Sequence, residues 1–302
     1  MYPVQVSKTM AKRKIVPAQR KLQLTRSASS ASNYTICDVG EVLSKMNRRL
    51  YRQGRNYRCK VELIDDTEQQ SFSVYVLADT WVNHLAWKKA FEAYMNATKE
   101  EREMLGSRVA RWNDFRVRHG VNVSGGVPDY NPLTLTNTGS STQLTAGEFN
   151  FSSVELETGD KDFTWGPGTS TAFGMLDELE KLFNSDESPV TVEVNAPYNN
   201  IDGDQMSLND YVELQEEGNE PPYDADNFPS PWVRIDVLRS NLASGGKRVS
   251  DWFNAPCGLV LIVTGAATKN IELTVAAGDY KGVMAPSMGT ARLTNDKKYV
   301  VK

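Results

Sequence analysis

The chain has 302 residues, 40% of them hydrophobic, enough to bury a core and to form one large domain or two small ones. The longest apolar stretch, residues 257–263, suits a buried strand and not a membrane span, and no apolar h-region follows the basic start, so no membrane partner and no secretory leader are expected. Three cysteines, odd in number and widely spaced, argue against a disulfide framework and for synthesis in a reducing compartment.

The net charge of −4 conceals a division along the chain. Residues 1–60 hold 14 of the 34 Lys and Arg but only Asp38 and Glu41 among the 38 acids, a net of +12. The other 242 residues carry a net of −16. Asymmetry of this size points to a polyanion partner for the basic part.

Residues 1–33 read as a disordered basic arm. Lys8, Lys12, Arg13, Lys14, Arg20, Lys21 and Arg26 stand there without an acid, Pro3 and Pro17 interrupt them, and the low-complexity run Ser27 to Asn33 closes the segment. So charged a stretch, with few large apolar residues, cannot offset its own ordering entropy. A second basic cluster follows, with Arg48, Arg49, Arg52, Arg55 and Arg58 and no acid between residues 42 and 61. Residues 41–52 predict a short helix ended by Gly54. Tyr51 and Tyr57 stand among the arginines, where they could stack on unpaired bases; Tyr57 fits the inward face of a strand equally well.

From Tyr57 the period changes to two. Tyr57, Cys59, Val61 and Leu63 alternate with Arg58, Lys60 and Glu62, and Phe72, Val74 and Val76 repeat the pattern. Further strands are predicted at Phe149 to Leu156, Val190 to Val194, Trp232 to Leu238, Leu259 to Thr264 and Ile271 to Val275. A helical insertion is expected over 79–118, starting at Asp79 or Thr80 with Val82, Ala86, Ala90, Ala93 and Ala97 on one stripe and continuing past Gly106. A shorter helix is predicted at Met175 to Phe183. Short strands separated by long loops suggest a mainly β sandwich or barrel and not a βαβ sheet, with residues 34–302 as its body.

Between Leu182 and Val233 the chain has twelve acids and no Lys or Arg. Residues 196–231 read as an acidic surface excursion, expected to face away from any nucleic acid. Within it Asp202 and Asp204 flank Gly203 and are the candidate Ca²⁺ ligands, although the spacing fails the EF-hand pattern and an exposed acidic loop explains them as well. No other cofactor is expected. No phosphate-cradling glycine loop or nucleophile elbow occurs, so no enzyme is expected. His84, at helical spacing in an apolar stretch, reads as a hydrogen-bonded core or boundary residue, and His119, after Arg116 and Arg118, as part of a basic patch.

The layout resembles viral coat proteins. Lys12-Arg13-Lys14 with Arg20-Lys21 matches their arms, a Ser/Ala hinge follows, and residues 255–263 resemble a late core strand. The outline is similar to single jelly-roll capsid proteins of small icosahedral viruses, most of all those of small circular single-stranded DNA viruses, including the bacilladnavirus-like group. The arm is less arginine-rich than many of theirs, and the helix from Thr80 is long for a plain jelly roll. The resemblance implies an antiparallel jelly-roll shell that assembles with copies of itself and packages a genome, single-stranded DNA ahead of RNA. It also implies a place in the virion, after assembly in the host nucleus or cytoplasm. Two alternatives remain: a cellular nucleic-acid-binding module without sequence preference, and a carbohydrate-binding β-sandwich using Trp165, Trp232 and the acidic loop.

Overall fold

Strands with period-two burial build the centre of the molecule. The structure, a computed structural model, describes residues 16–26, 33–64, 71–108, 112–121, 126–156, 159–184, 231–239, 247–264, 270–288, 291–293 and 299–301. In chain order the first elements are β1 (Lys21–Arg26), β2 (Tyr34–Asp38), α1 (Val39–Asn47), β3 (Tyr57–Leu63) and β4 (Ser71–Leu77). Next come α2 (Trp81–Ala97), α3 (Lys99–Leu105), β5 (Tyr130–Leu135), β6 (Ser141–Gln143), β7 (Ser153–Leu156), β8 (Gly159–Thr164), β9 (Ala172–Gly174) and α4 (Met175–Asn184). The chain then returns through β10 (Trp232–Arg239), β11 (Phe253–Ala255), β12 (Leu259–Thr264) and β13 (Asn270–Val275). The protein is mainly β, with antiparallel sheets.

Eight of these strands pair as nested ribbons. β1 runs antiparallel to β13, β2 to β12, β3 to β11 and β4 to β10. Contacts of β13 with β3 and of β12 with β4 join the ribbons into two sheets, ordered β11-β3-β13-β1-β5-β6 and β10-β4-β12-β2. Everything from α2 to α4 is inserted between β4 and β10. In the insertion β5 extends the larger sheet beside β1, and β7, β8 and β9 form a small sheet containing the parallel pair β8–β9.

Two apolar layers follow from this arrangement. Between the sheets lie Leu22 and Leu24 of β1, Cys59, Val61 and Leu63 of β3, Val74 and Val76 of β4, Val260 and Ile262 of β12, and Ile271 and Leu273 of β13. The other face of the smaller sheet, with Ile36, Leu259 and Leu261, packs on Val82, Ala86 and Trp87 of α2 and on Phe115, Phe163 and Trp165. A strand covered on both faces has no polar side to show, which is why β12 reads as an unbroken apolar run. Cys37, Cys59 and Cys257 are all buried free thiols.

Several expectations need correction. Lys21–Arg26 is not arm but a strand between β13 and β5, with Leu22 and Leu24 at 2% and 0% exposure. Pairing on both edges and two buried leucines outweigh the local charge. α1 stops at Asn47, because Arg48 turns left-handed (φ 50°) and closes the last turn. Gly54 instead makes room for Trp87, whose Cζ2 would lie 2.1 Å from a Cβ at that position. The helical insertion ends at Leu105, followed by a single turn of 3-10 helix from Gly106 (φ 50°), and residues 113–117 have no regular secondary structure. Of the alanine stripe on α2, Val82 and Ala86 are buried, whereas Ala93 and Ala97 are exposed. Residues 1–15 and 27–32 of the expected arm, the strand expected at Val190 to Val194, and all of the 196–231 excursion except Pro231 lie outside the described residues, as do Lys8, Lys12, Arg13, Lys14, Asp202 and Asp204.

Candidate nucleic-acid interface

The connection from α1 to β3 carries the second basic cluster, and its two tyrosines hold it in place. The Tyr51 backbone N–H donates to Ser44 Oγ (2.7 Å), and its hydroxyl donates to the Lys281 carbonyl (2.9 Å). The Tyr57 hydroxyl donates to the Arg52 carbonyl (2.7 Å). Both rings are buried, at 2% and 0% exposure, so neither can stack on a base. Their spacing among the arginines reflects anchoring: the tyrosines turn inward and the intervening cations turn out.

The cations divide into paired and unpaired groups. Arg48 and Arg49 are exposed and form no ion pair among the described residues. Arg52 pairs with Asp114 (3.0 Å) while half its side chain stays in solvent. Arg55 donates to the Ala285 carbonyl and lies 3.9 Å above the centroid of the Tyr280 ring. Arg58 donates to Asn254 Oδ1 (3.2 Å) on the neighbouring strand.

Lys281 completes the group from the far end of the chain. It sits in a turn with φ 51°, donates to the Leu50 carbonyl, and holds its ammonium 5.2 Å from the Tyr280 ring centroid and 5.8 Å from that of Tyr51. Burial, followed by the fields of Arg49, Arg52 and Arg55, holds this ammonium below the ordinary lysine value. The four cations thus share one region, where Asp114 offsets part of their repulsion. Nothing in the sequence around Asp279-Tyr280-Lys281-Gly282 marks it as a partner of residues 48–55.

The described N-terminus enters at the same place. Asn47, the last residue of α1, exchanges two hydrogen bonds with the Gln19 backbone (2.7 and 3.1 Å). The Val16 carbonyl packs so closely on Gly282 that a Cβ there would stand 2.2 Å from it. Val16 therefore lies against the turn that carries Lys281, and Gln19 against the end of α1 just before Arg48 and Arg49. The remaining arm cations lie along β1: Lys21 pairs with Glu272 on the outer face of the larger sheet, and Arg20 and Arg26 flank it.

The patch expected around His119 does not form. Arg116 is buried and paired with Asp38 (2.6 Å) and Glu41 (2.7 Å), and Arg118 pairs with Asp162 (2.6 Å). Burial, and then Arg118, push the His119 imidazole below its ordinary value, and its Nδ1 accepts from the Val121 N–H (3.0 Å). His84 is buried, with Nε2 2.8 Å from Asp79 Oδ1. Trp165 is buried and Trp232 half-buried, its indole N–H donating to the His119 carbonyl (3.1 Å), so neither offers the open ring face that a sugar would need. Among the described residues no group of His, Cys, Asp or Glu is arranged to hold a metal ion.

No protein-family model matches the chain, and neither the curated proteins nor the solved structures contain one significantly similar to it.

Proposed function

We propose that the protein is a viral capsid subunit: a jelly roll that assembles with copies of itself and gathers single-stranded nucleic acid, DNA ahead of RNA, on a basic surface. The jelly-roll reading is supported by strand order. Taking β1, β2, β3, β4, β10, β11, β12 and β13 as strands one to eight, first pairs with last, second with seventh, third with sixth and fourth with fifth. That nesting is what a double Greek key produces when its ribbons are rolled into two sheets, an architecture shared by capsid, lectin and cupin domains. Fold alone does not choose among these.

The observation that carries the functional choice is the cluster of Arg49, Arg52, Arg55 and Lys281, with Arg48 next to it, beside which Val16 and Gln19 pack. The sequence just before Val16 holds Lys8, Lys12, Arg13 and Lys14, and both basic segments are read as contacts of the same polyanion. Contacts of this kind read phosphate and not sequence. Self-association is supported by apolar side chains left in solvent: Met104 at 88%, Leu135 at 75%, Trp81 at 56% and Trp112 at 53% exposure. Val233 and Ile235 are exposed on β10, an edge strand whose ladder is interrupted at Ile235.

With eight cations engaged, affinity for a single strand should fall with salt at a log–log slope of about −6, at roughly 0.7 per contact. Removing residues 1–15 should bring the slope to about −3, and Arg48→Gln with Arg49→Gln should lower its magnitude by about 1.4. Filter binding over a salt series reads both values. A slope unchanged by either alteration would place the polyanion elsewhere. The discrete basic face also favours a second reading, a nucleic-acid-binding module that never assembles, and particle size separates the two.

A further inference from the structure

We propose that the cleft between the Arg52–Arg55 segment and α2 is a seat for one unstacked nucleotide of a single strand. The inference deepens the polyanion reading, on which it rests, by adding contact with the base to contact with phosphate. The cleft has a volume of about 690 Å³, within the range that takes small-molecule groups. Its wall is aromatic. Trp87 and Phe91 stack at 5.1 Å with an interplanar angle of 8°, and Phe115 meets both edge-on at 5.9 and 5.6 Å. Phe91 is half-buried, which leaves part of its ring open to the cleft, and Met95 and Met288 add soft apolar surface beside it.

The rim carries the opposite chemistry. Arg52, Arg55, Lys88 and Arg102 border the cleft against two acids, Asp114 and Glu92. Asp114 already pairs with Arg52, and Glu92 lies 3.9 Å from Lys88 and 3.8 Å from Lys89. The cleft therefore combines an apolar aromatic wall with excess positive charge, the pairing that suits a planar base attached to a phosphate. An isolated phosphate would leave the wall unused, and a neutral apolar ligand would leave the cations unanswered. A duplex keeps its bases stacked inside and could present only phosphate here, so the seat selects single strands. It also shares Arg52 and Arg55 with the cationic surface, so a strand held there reaches the cleft without leaving it. Tyr51 and Tyr57 cannot stack on bases, and this cleft offers the aromatic surface that they do not.

The test compares three ligands of equal length at fixed salt on the full chain: oligothymidylate, the same backbone without bases, and a duplex. Oligothymidylate should bind about tenfold more tightly than the abasic strand, the scale of one or two stacked bases. Phe91→Leu, with its fold checked by melting, should remove that preference and leave the abasic affinity unchanged. Should that variant fail to fold, crosslinking of a 5-iodouracil strand to the wild-type chain replaces it, with the adduct expected within residues 87–95 or 113–115. Equal binding of the two single strands, or adducts confined to other segments, would overturn the seat while leaving the phosphate-binding surface standing. Failure of all three ligands to bind would remove both.

Discussion

Deletion of residues 1–26 should abolish the cooperative melting transition, whereas deletion of residues 1–15 should preserve it. The difference is β1. Its backbone pairs with β13 on one side and β5 on the other, so its loss opens the larger sheet in the middle. Leu22 and Leu24 leave the core with it, about 3–6 kcal/mol of burial between them at roughly 1.5–3 kcal/mol each. The broken ladders leave buried N–H and C=O groups unpaired, at a further cost of about 1–3 kcal/mol for each. Set against a typical domain stability of about 5–15 kcal/mol, these losses leave little folded protein. The shorter deletion removes four cations and none of the described contacts. Differential scanning calorimetry of the two truncations reads the contrast. A normal transition without residues 1–26 would return β1 to the arm.

Arg116→Met should destabilise the protein by about 3–5 kcal/mol, because it leaves two carboxylates in a buried site without their partner. Arg116 reaches from the insertion to the start of α1. One guanidinium nitrogen donates to both Asp38 and Glu41, the other donates to the Phe149 carbonyl, and the group lies 5.0 Å from the Phe149 ring centroid. Asp38 is also the N-cap of α1 and accepts from Gln53 Nε2, while Gln53 Oε1 accepts from the Val117 N–H. Lys45 continues to neutralise Glu41 in the variant, so Asp38 bears most of the loss.

Asp129 acts in the opposite sense to a paired carboxylate. Burial, then Glu41 and Asp38, push it up to about 6, although its exposure lets solvent screen part of the effect. Between pH 3.8 and about 6 the folded state holds a proton that the unfolded state has released, so this group's contribution falls as pH rises through that window. Asp129→Asn should flatten the dependence there and raise stability at pH 7. Urea melts of the wild type and both variants from pH 4 to 7.5 read these effects together. An Arg116→Met deficit below about 1 kcal/mol at pH 7 would mean that the network is solvated.

How much of this was legible depended on whether a signal was local. β3 and β12 occupy the residues expected from alternation and from an unbroken apolar run, and β13 and α4 differ by a residue at one end. β1 carries the same alternation, with Leu22 and Leu24 between Lys21, Gln23 and Thr25. Its charge and its neighbours made it read as arm, because its pairing partners lie more than 100 residues away. Tyr51 and Tyr57 illustrate a different limit: a sequence gives the spacing of aromatic residues but not whether their rings point inward. The site was half legible. Arg48, Arg49, Arg52 and Arg55 came from composition, while Lys281 and the aromatic wall on α2 joined them only through tertiary contact.

Electron microscopy and light scattering of the full-length protein, across a salt series with and without single-stranded DNA, test the capsid proposal most directly. The expected result is closed particles of many subunits, formed more readily at low ionic strength or with the strand present. A chain that stays monomeric in every one of these conditions, while still binding the strand, would contradict the capsid reading and leave a nucleic-acid-binding module.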